Sequence, residues 1–185
     1  MNGIKTLWET PIYSHQYEDT EEYISKLTAL VNVKIADMRC AGIDNIADEN
    51  VSFSAFPEIE ERFKLAFDTL CEYSEHKPNY NMSDLNIINP MKFGDYKSTH
   101  SHDSIDAFAV FYHNVGNSEG GRIRLYDPRW QNRKSFIPKK PYIEIKPGNG
   151  LLIAAPHYVW HEVTPYLGSE IRISLVSNMT FNEID

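Results

Sequence analysis

Cysteine is scarce: Cys40 and Cys71 are the only two in 185 residues, and nothing pairs them at metal-ligand spacing. A disulfide scaffold is excluded, and a reducing compartment, the cytoplasm, is the expectation. Basic residues are also in deficit, 18 Lys and Arg against 26 Asp and Glu, for a formal charge of -8. No basic run interrupts that balance, so non-specific nucleic-acid binding and anionic membrane surfaces are not expected partners. No apolar stretch approaches the length of a membrane span, and Met1 to Glu9 lacks a basic segment followed by an apolar one. Internal repeats, low-complexity tracts and convincing linkers are absent as well. What remains is one ordinary domain over 1–185, long enough to bury about two-thirds of its unfolded surface without a metal or disulfide to hold it.

The chain divides by pattern into a helical lead-in, 1–83, and a β-rich core, 84–185. Around Pro11, Ile4, Leu7, Trp8, Ile12 and Tyr13 suggest a short strand or extended lead-in with no partner that can be named. Asp19 and Glu22 have capping-box spacing, and Tyr23, Leu27, Leu30, Val31 and Ile35 recur at helical intervals toward Gly42. A loop over 42–56 precedes a second helix, started by Pro57, in which Ile59, Phe63, Phe67, Leu70 and Tyr73 follow one face while Glu58, Glu60, Glu61 and Arg62 stay wet. From about Leu85 short apolar runs alternate with Gly, Pro, Asn and Asp. They predict strands near 84–89, 96–102, 106–113, 121–126, 142–146, 150–155, 158–164 and 170–181. The fold class is therefore mostly β with N-terminal helices: an antiparallel double-sheet jelly roll of the cupin kind, its helices packed on one sheet.

Five of the seven histidines fall in this core. His100 and His102 stand two apart in a predicted strand, so both imidazoles project from one face, the spacing of a chelate for Fe, Zn, Cu or Ni or of two exposed residues. The turn Pro147–Gly150, the apolar run from Leu151 and a short loop deliver His161 beside a buried strand, where it makes a good third ligand. His113 and His157 have no such partner and read as structural. In Ile171-Arg172-Ile173-Ser174-Leu175, Arg172 and Ser174 share a face; if that face is the inner one, the guanidinium needs an anion, and a carboxylate gripped by two N–H donors satisfies it. The alternative is an arginine on the wet side of an edge strand. Arg122, Arg124, Arg129 and Arg133 read first as a solvated face. Phe108, Phe111, Tyr112, Tyr126, Trp130, Tyr158 and Trp160 suit either a ligand cleft or the core.

Taken as a set, His100-Ser101-His102, the buried run Ala107–Tyr112, Gly120-Gly121 leading to Tyr126-Asp127-Pro128-Arg129, the Pro147-Gly148 turn, His161 and Arg172-x-Ser174 resemble the Fe(II)/2-oxoglutarate-dependent oxygenases. The approach Asn86-Ile87…Gly94-Asp95…His100 and the opening Leu7-Trp8-Glu9-Thr10-Pro11-Ile12 look like a small bacterial and phage subgroup of them. The resemblance implies a double-stranded β-helix holding one Fe(II), with His100 and His161 as the family's two histidine ligands. It also implies 2-oxoglutarate as cosubstrate, its distal carboxylate on Arg172 and Ser174, with Asn86 a further cosubstrate residue. The chain departs from the family where most members have a carboxylate in His-x-Asp: His102 stands there, and the adjacent Asp103 is the substitute candidate. A carboxylate lowers the net charge of an iron centre and a neutral imidazole does not, although three histidines still leave positions open.

The implied reaction is oxidative decarboxylation of 2-oxoglutarate to succinate, coupled to hydroxylation of a C–H bond in a small-molecule or peptide substrate. Two other classes fit the residues. A three-histidine cupin dioxygenase or isomerase would not depend on 2-oxoglutarate or Arg172, and a metal-free jelly-roll binding module would bind no stoichiometric metal. An exposed sheet edge would make a homodimer unsurprising.

Overall fold

The computed structural model describes residues 9–19, 21–40, 50–51, 56–82, 86–117, 119–129 and 141–182. Two helices and eleven strands follow in the order β1 (Tyr13–Gln16), α1 (Glu21–Cys40), β2 (Asn50–Val51), α2 (Pro57–Tyr73), β3 (Tyr80–Met82), β4 (Asn86–Met91), β5 (Lys97–His100), β6 (Ala107–Asn114), β7 (Ile123–Tyr126), β8 (Tyr142–Ile145), β9 (Leu151–Pro156), β10 (His161–Val163) and β11 (Arg172–Phe181). The larger sheet runs β1-β9-β6-β11-β4-β2, with β3 also on β11, and the smaller runs β5-β10-β7-β8. All the pairings are antiparallel.

Strand alternation sorts the large sheet into two faces. Toward the helices point Ala107, Ala109 and Phe111 of β6, Leu152 and Ala154 of β9, and Ile173, Leu175 and Met179 of β11. They pack with Leu27, Val31 and Ile35 of α1 and with Ile59, Phe63, Phe67 and Leu70 of α2. The opposite face carries Phe108, Tyr112, Leu151, Ile153 and Ala155, closed over by Ile123 and Leu125 of the small sheet. The helix-bearing jelly roll expected from the sequence is therefore present. Among the described residues, no helix is long and apolar enough to cross a membrane.

Pro57 begins α2 as its spacing predicts, its missing N–H falling where a helix has no partner to offer. The two residues with capping-box spacing before α1 both make ion pairs. Asp19 takes two bonds from the Arg62 guanidinium, at 3.0 and 2.5 Å, and Glu22 pairs with Lys26. Arg62 also lies over the rings of Tyr17 and Tyr23, 4.0 and 4.3 Å from their centroids, so one side chain of α2 fastens the lead-in to the sheet. β1 finds its partner in β9, with Tyr13 opposite Ala154. Arg122 and Arg124 lie on the outer side of the small sheet in ion pairs with Glu144 and Glu162, which agrees with a solvated face. Arg129 pairs with Asp127, whereas Arg133 and Trp130 lie outside the described residues.

Candidate metal centre

The three histidines converge. β10 sits between β5 and β7, which sets His161 opposite His100 on one side and opposite Leu125 on the other. One ring nitrogen from each of His100, His102 and His161 lies within 4.8 Å of the others. Two nitrogens bound to a single ion at about 2.1 Å each are at most about 4.2 Å apart, slightly less than that 4.8 Å limit, so a shared metal would draw the three rings together slightly. His161 is buried and the other two are half-buried, and the His161 ring stacks on Phe108 with centroids 4.2 Å apart.

Second bonds fix the protons on two of the rings. Nδ1 of His100 is 2.7 Å from the Ser98 carbonyl, and Nδ1 of His161 is 3.0 Å from the Val159 carbonyl. A carbonyl oxygen only accepts, so Nδ1 carries the hydrogen in both and Nε2 keeps its lone pair for a metal. Burial pulls the His161 pKa down to about 3, reinforced by His100 and His102, and burial lowers that of His102 too. Both stay neutral near pH 7, the state a metal requires.

His102 arrives differently from the expectation. β5 ends at His100, so strand alternation does not place His102. Its main chain is held instead by His157: the His102 N–H donates to the His157 carbonyl at 3.3 Å, and His157 Nδ1 lies 2.9 Å from the His102 carbonyl. His157 is thus a partner of the cluster that its isolation in the sequence concealed. Asp103, the substitute candidate, is exposed and is not part of the cluster, which leaves three imidazoles.

Arg172 faces inward. The register of β11 on β4 sets Arg172, Ser174 and Val176 opposite Met91, Asn89 and Ile87, all on the side shared with Tyr112 and Phe108. The guanidinium is 1% exposed and lies 5.0 Å from the centre of the Tyr112 ring. Its Nη1 contacts the Met91 sulfur at 3.0 Å, its Nε has no partner, and among the described residues no carboxylate pairs with it. Burial lowers its pKa and raises that of the Tyr112 phenol. The Tyr112 hydroxyl and the Asn89 and Asn178 Oδ1 atoms are buried without partners too, an accumulation of unmet polar atoms that a polar ligand would relieve. Gly121 makes room for the arginine: its φ is +59°, and a Cβ there would stand 3.2 Å from both Arg172 Cδ and Tyr166 Cδ2.

Asn86 is the one candidate on the wrong face. It shares its side of β4 with Ile88, which packs under the helices, so the sheet itself separates it from Arg172. Asn89, three residues on, occupies the inner position expected of Asn86. Only the β4–β11 register could have identified it.

Residues 88–178, which carry the three histidines and Arg172, match the family described as putative 2OG-Fe(II) oxygenase. No curated protein matches the chain in sequence. Among solved structures, the chain is similar to the viral collagen prolyl hydroxylase of Paramecium bursaria Chlorella virus-1 in complex with 2OG (14% identity, 93% of this chain and 96% of that one, TM-score 0.64). It is also similar to a Pseudomonas putida prolyl-4-hydroxylase (17% identity, 94% and 89%, TM-score 0.62). A third likeness is to a Trichoplax adhaerens prolyl hydroxylase in complex with a peptide fragment of the hypoxia inducible factor oxygen degradation domain (13% identity, 91% and 83%, TM-score 0.60). The two facing antiparallel sheets are thus the double-stranded β-helix that these structures share.

Proposed function

We propose that the chain is a 2OG-Fe(II) oxygenase, residues 88–178 matching that family, and that it hydroxylates a C–H bond of a peptide or small molecule, with His100, His102 and His161 holding Fe(II) and Arg172 receiving 2-oxoglutarate. The lead-in and the β-rich core are read as a single domain serving that one site.

The observation that carries the reading is the buried, uncompensated Arg172. A guanidinium this deep is costly without an anion, and a carboxylate meeting its N–H groups in a fork provides one. Tyr112 and Asn89, unpartnered on the same face, and Ser174 supply further polar contacts around that carboxylate. Phe108 touches the His161 ring and Tyr112 touches Arg172; the two stand on one face of β6, four residues or about 13 Å apart. A five-carbon dicarboxylate would lie along this face, with one end at the metal and the other at the guanidinium. A cupin dioxygenase or isomerase that does not use 2-oxoglutarate gives the buried arginine no such role.

Iron with 2-oxoglutarate bound supplies O₂ activation and oxidative decarboxylation, releasing succinate and CO₂ as the substrate is hydroxylated. The chain's own residues do the rest. His100 and His161 keep Nε2 unprotonated through their carbonyl bonds, Phe108 packs against two of the imidazoles, and the inner cluster keeps water from the space behind them. Three neutral ligands leave the metal's charge undiminished, which favours a dianionic cosubstrate beside it. The structural likeness to prolyl hydroxylases, one of them in complex with a peptide fragment, supports a peptide as the first substrate class to try.

The test is anaerobic addition of Fe(II) and then 2-oxoglutarate to the purified protein. A visible charge-transfer band is expected, lost in both Arg172→Ala and His161→Ala. Metal binding without the band would move the assignment to the cupin dioxygenase or isomerase.

A further inference from the structure

Resting on the metal-site reading above, we propose that His157 is a positioning residue for His102, holding the third imidazole in place through the main chain.

Three observations carry it. First, the three imidazoles are not anchored alike. His100 and His161 are oriented through their own rings, each Nδ1 bonded to the carbonyl two residues earlier, whereas among the described residues neither ring nitrogen of His102 has a hydrogen-bond partner. Second, His102 lies past the end of β5, where no ladder holds it, and both of its main-chain polar groups go to the same residue: its N–H to the His157 carbonyl at 3.3 Å, and its carbonyl to His157 Nδ1 at 2.9 Å. Third, His157 is itself fixed. It occupies the turn after β9, and its N–H donates to the Asp106 carbonyl at 2.9 Å. The Asp106 N–H donates in turn to the Met179 carbonyl at 2.8 Å, and its carboxylate accepts the Phe181 N–H at 2.7 Å. The loop bearing His102 is thereby tied through one imidazole to β9 and β11 of the large sheet, while His100 and His161 belong to the small one.

The physical consequence is directional. Removing the His157 ring breaks the bond to the His102 carbonyl and leaves the segment after β5 held to His157 only by the longer 3.3 Å main-chain bond, which lets the His102 imidazole shift without touching His100 or His161. Outer partners of metal ligands change metal affinity about 10- to 100-fold when removed. His157 also lines a cavity of about 280 Å³ with Leu70, Cys71, His76, Tyr158 and Phe181.

The test is a Co(II) titration of the full chain without cosubstrate, followed by the visible ligand-field bands. It uses wild type, His157→Ala, His157→Asn, His102→Ala and the double variant His102→Ala/His157→Ala, each below its own melting transition. Asparagine places an N–H donor near the former Nδ1. The expected result is a 10- to 100-fold weaker Co(II) affinity and a changed band pattern in His157→Ala, both largely restored in His157→Asn. In the His102→Ala background His157→Ala is expected to change affinity by no more than about twofold, because the effect acts through His102. Unchanged affinity in His157→Ala, equal losses in the Ala and Asn variants, or an undiminished loss in the His102→Ala background would each overturn the proposal while leaving the metal site standing. No Co(II) binding by wild type would overturn both.

Discussion

Replacing Arg172 with methionine should separate ligand binding from stability, with effects of opposite sign. The guanidinium is 1% exposed and no carboxylate among the described residues faces it, so the ligand-free protein carries an isolated buried charge. Methionine keeps an apolar stem against Met91 and Tyr112 and removes that charge. Replacing buried charges by hydrophobic side chains of similar volume is often neutral or stabilising by about 1 to 4 kcal/mol. The melting temperature of the ligand-free variant is therefore expected to hold or rise. Removing one partner of a buried ion pair costs about 3 to 5 kcal/mol, so 2-oxoglutarate should bind from about 10² to several thousand times more weakly. Calorimetric titration of 2-oxoglutarate into the Co(II)-loaded protein, beside thermal melts without ligand, measures both quantities. A variant that melts several degrees lower yet binds 2-oxoglutarate like wild type would show that Arg172 is a packing residue and would refute the reasoning.

Gly121→Ala, at a φ of +59° and against Arg172, should cost about 1 to 3 kcal/mol in chemical denaturation and weaken 2-oxoglutarate along with it. Asn89→Ala should lower 2-oxoglutarate affinity by about 1 to 2 kcal/mol if Asn89 meets the ligand, whereas Asn86→Ala, on the helix side of β4, should leave it unchanged in the same titration. Burial holds His113, 2.9 Å from Thr28 of α1, below the usual histidine pKa, so the unfolded chain takes up the proton first as pH falls. Its stability contribution is thus complete above about pH 6.5 and declines below it, and urea denaturation from pH 7.5 to 5 should show a flatter acid limb in His113→Gln.

What could be read from the sequence followed from periodicity. Ile59, Phe63, Phe67 and Leu70 of α2 lie on the buried face that their spacing predicts, while Tyr73 at the end of the same stripe is exposed, and Arg172 and Ser174 share the inner face of β11 as their alternation predicts. β2 and β3, two and three residues long, are too short to show a period, and β1 could be suspected but not paired because its partner lies over a hundred residues away. The same limit governs the site. His100 and His161 are legible as candidate ligands by residue type and setting, and they face each other in register. Alternation along β5 predicts His102, but the strand stops short of it, and His102 reaches the cluster by a loop contact to His157. Asn86 and Asn89 are indistinguishable until β4 is aligned on β11.

The order of the large sheet bears on how the protein acquires its metal. β11, the latest in sequence of the described strands, lies between β6 and β4, both of which emerge from a ribosome well before it. Until it arrives, the two have no common neighbour and the arginine that completes the inner face does not exist. His161 likewise emerges about sixty residues after His100 and His102. An unfinished chain thus displays a bare two-imidazole chelate, whose preference among divalent ions runs toward copper and nickel rather than iron. Selection of iron therefore belongs to the folded barrel, in which His161 and Arg172 have joined the pair.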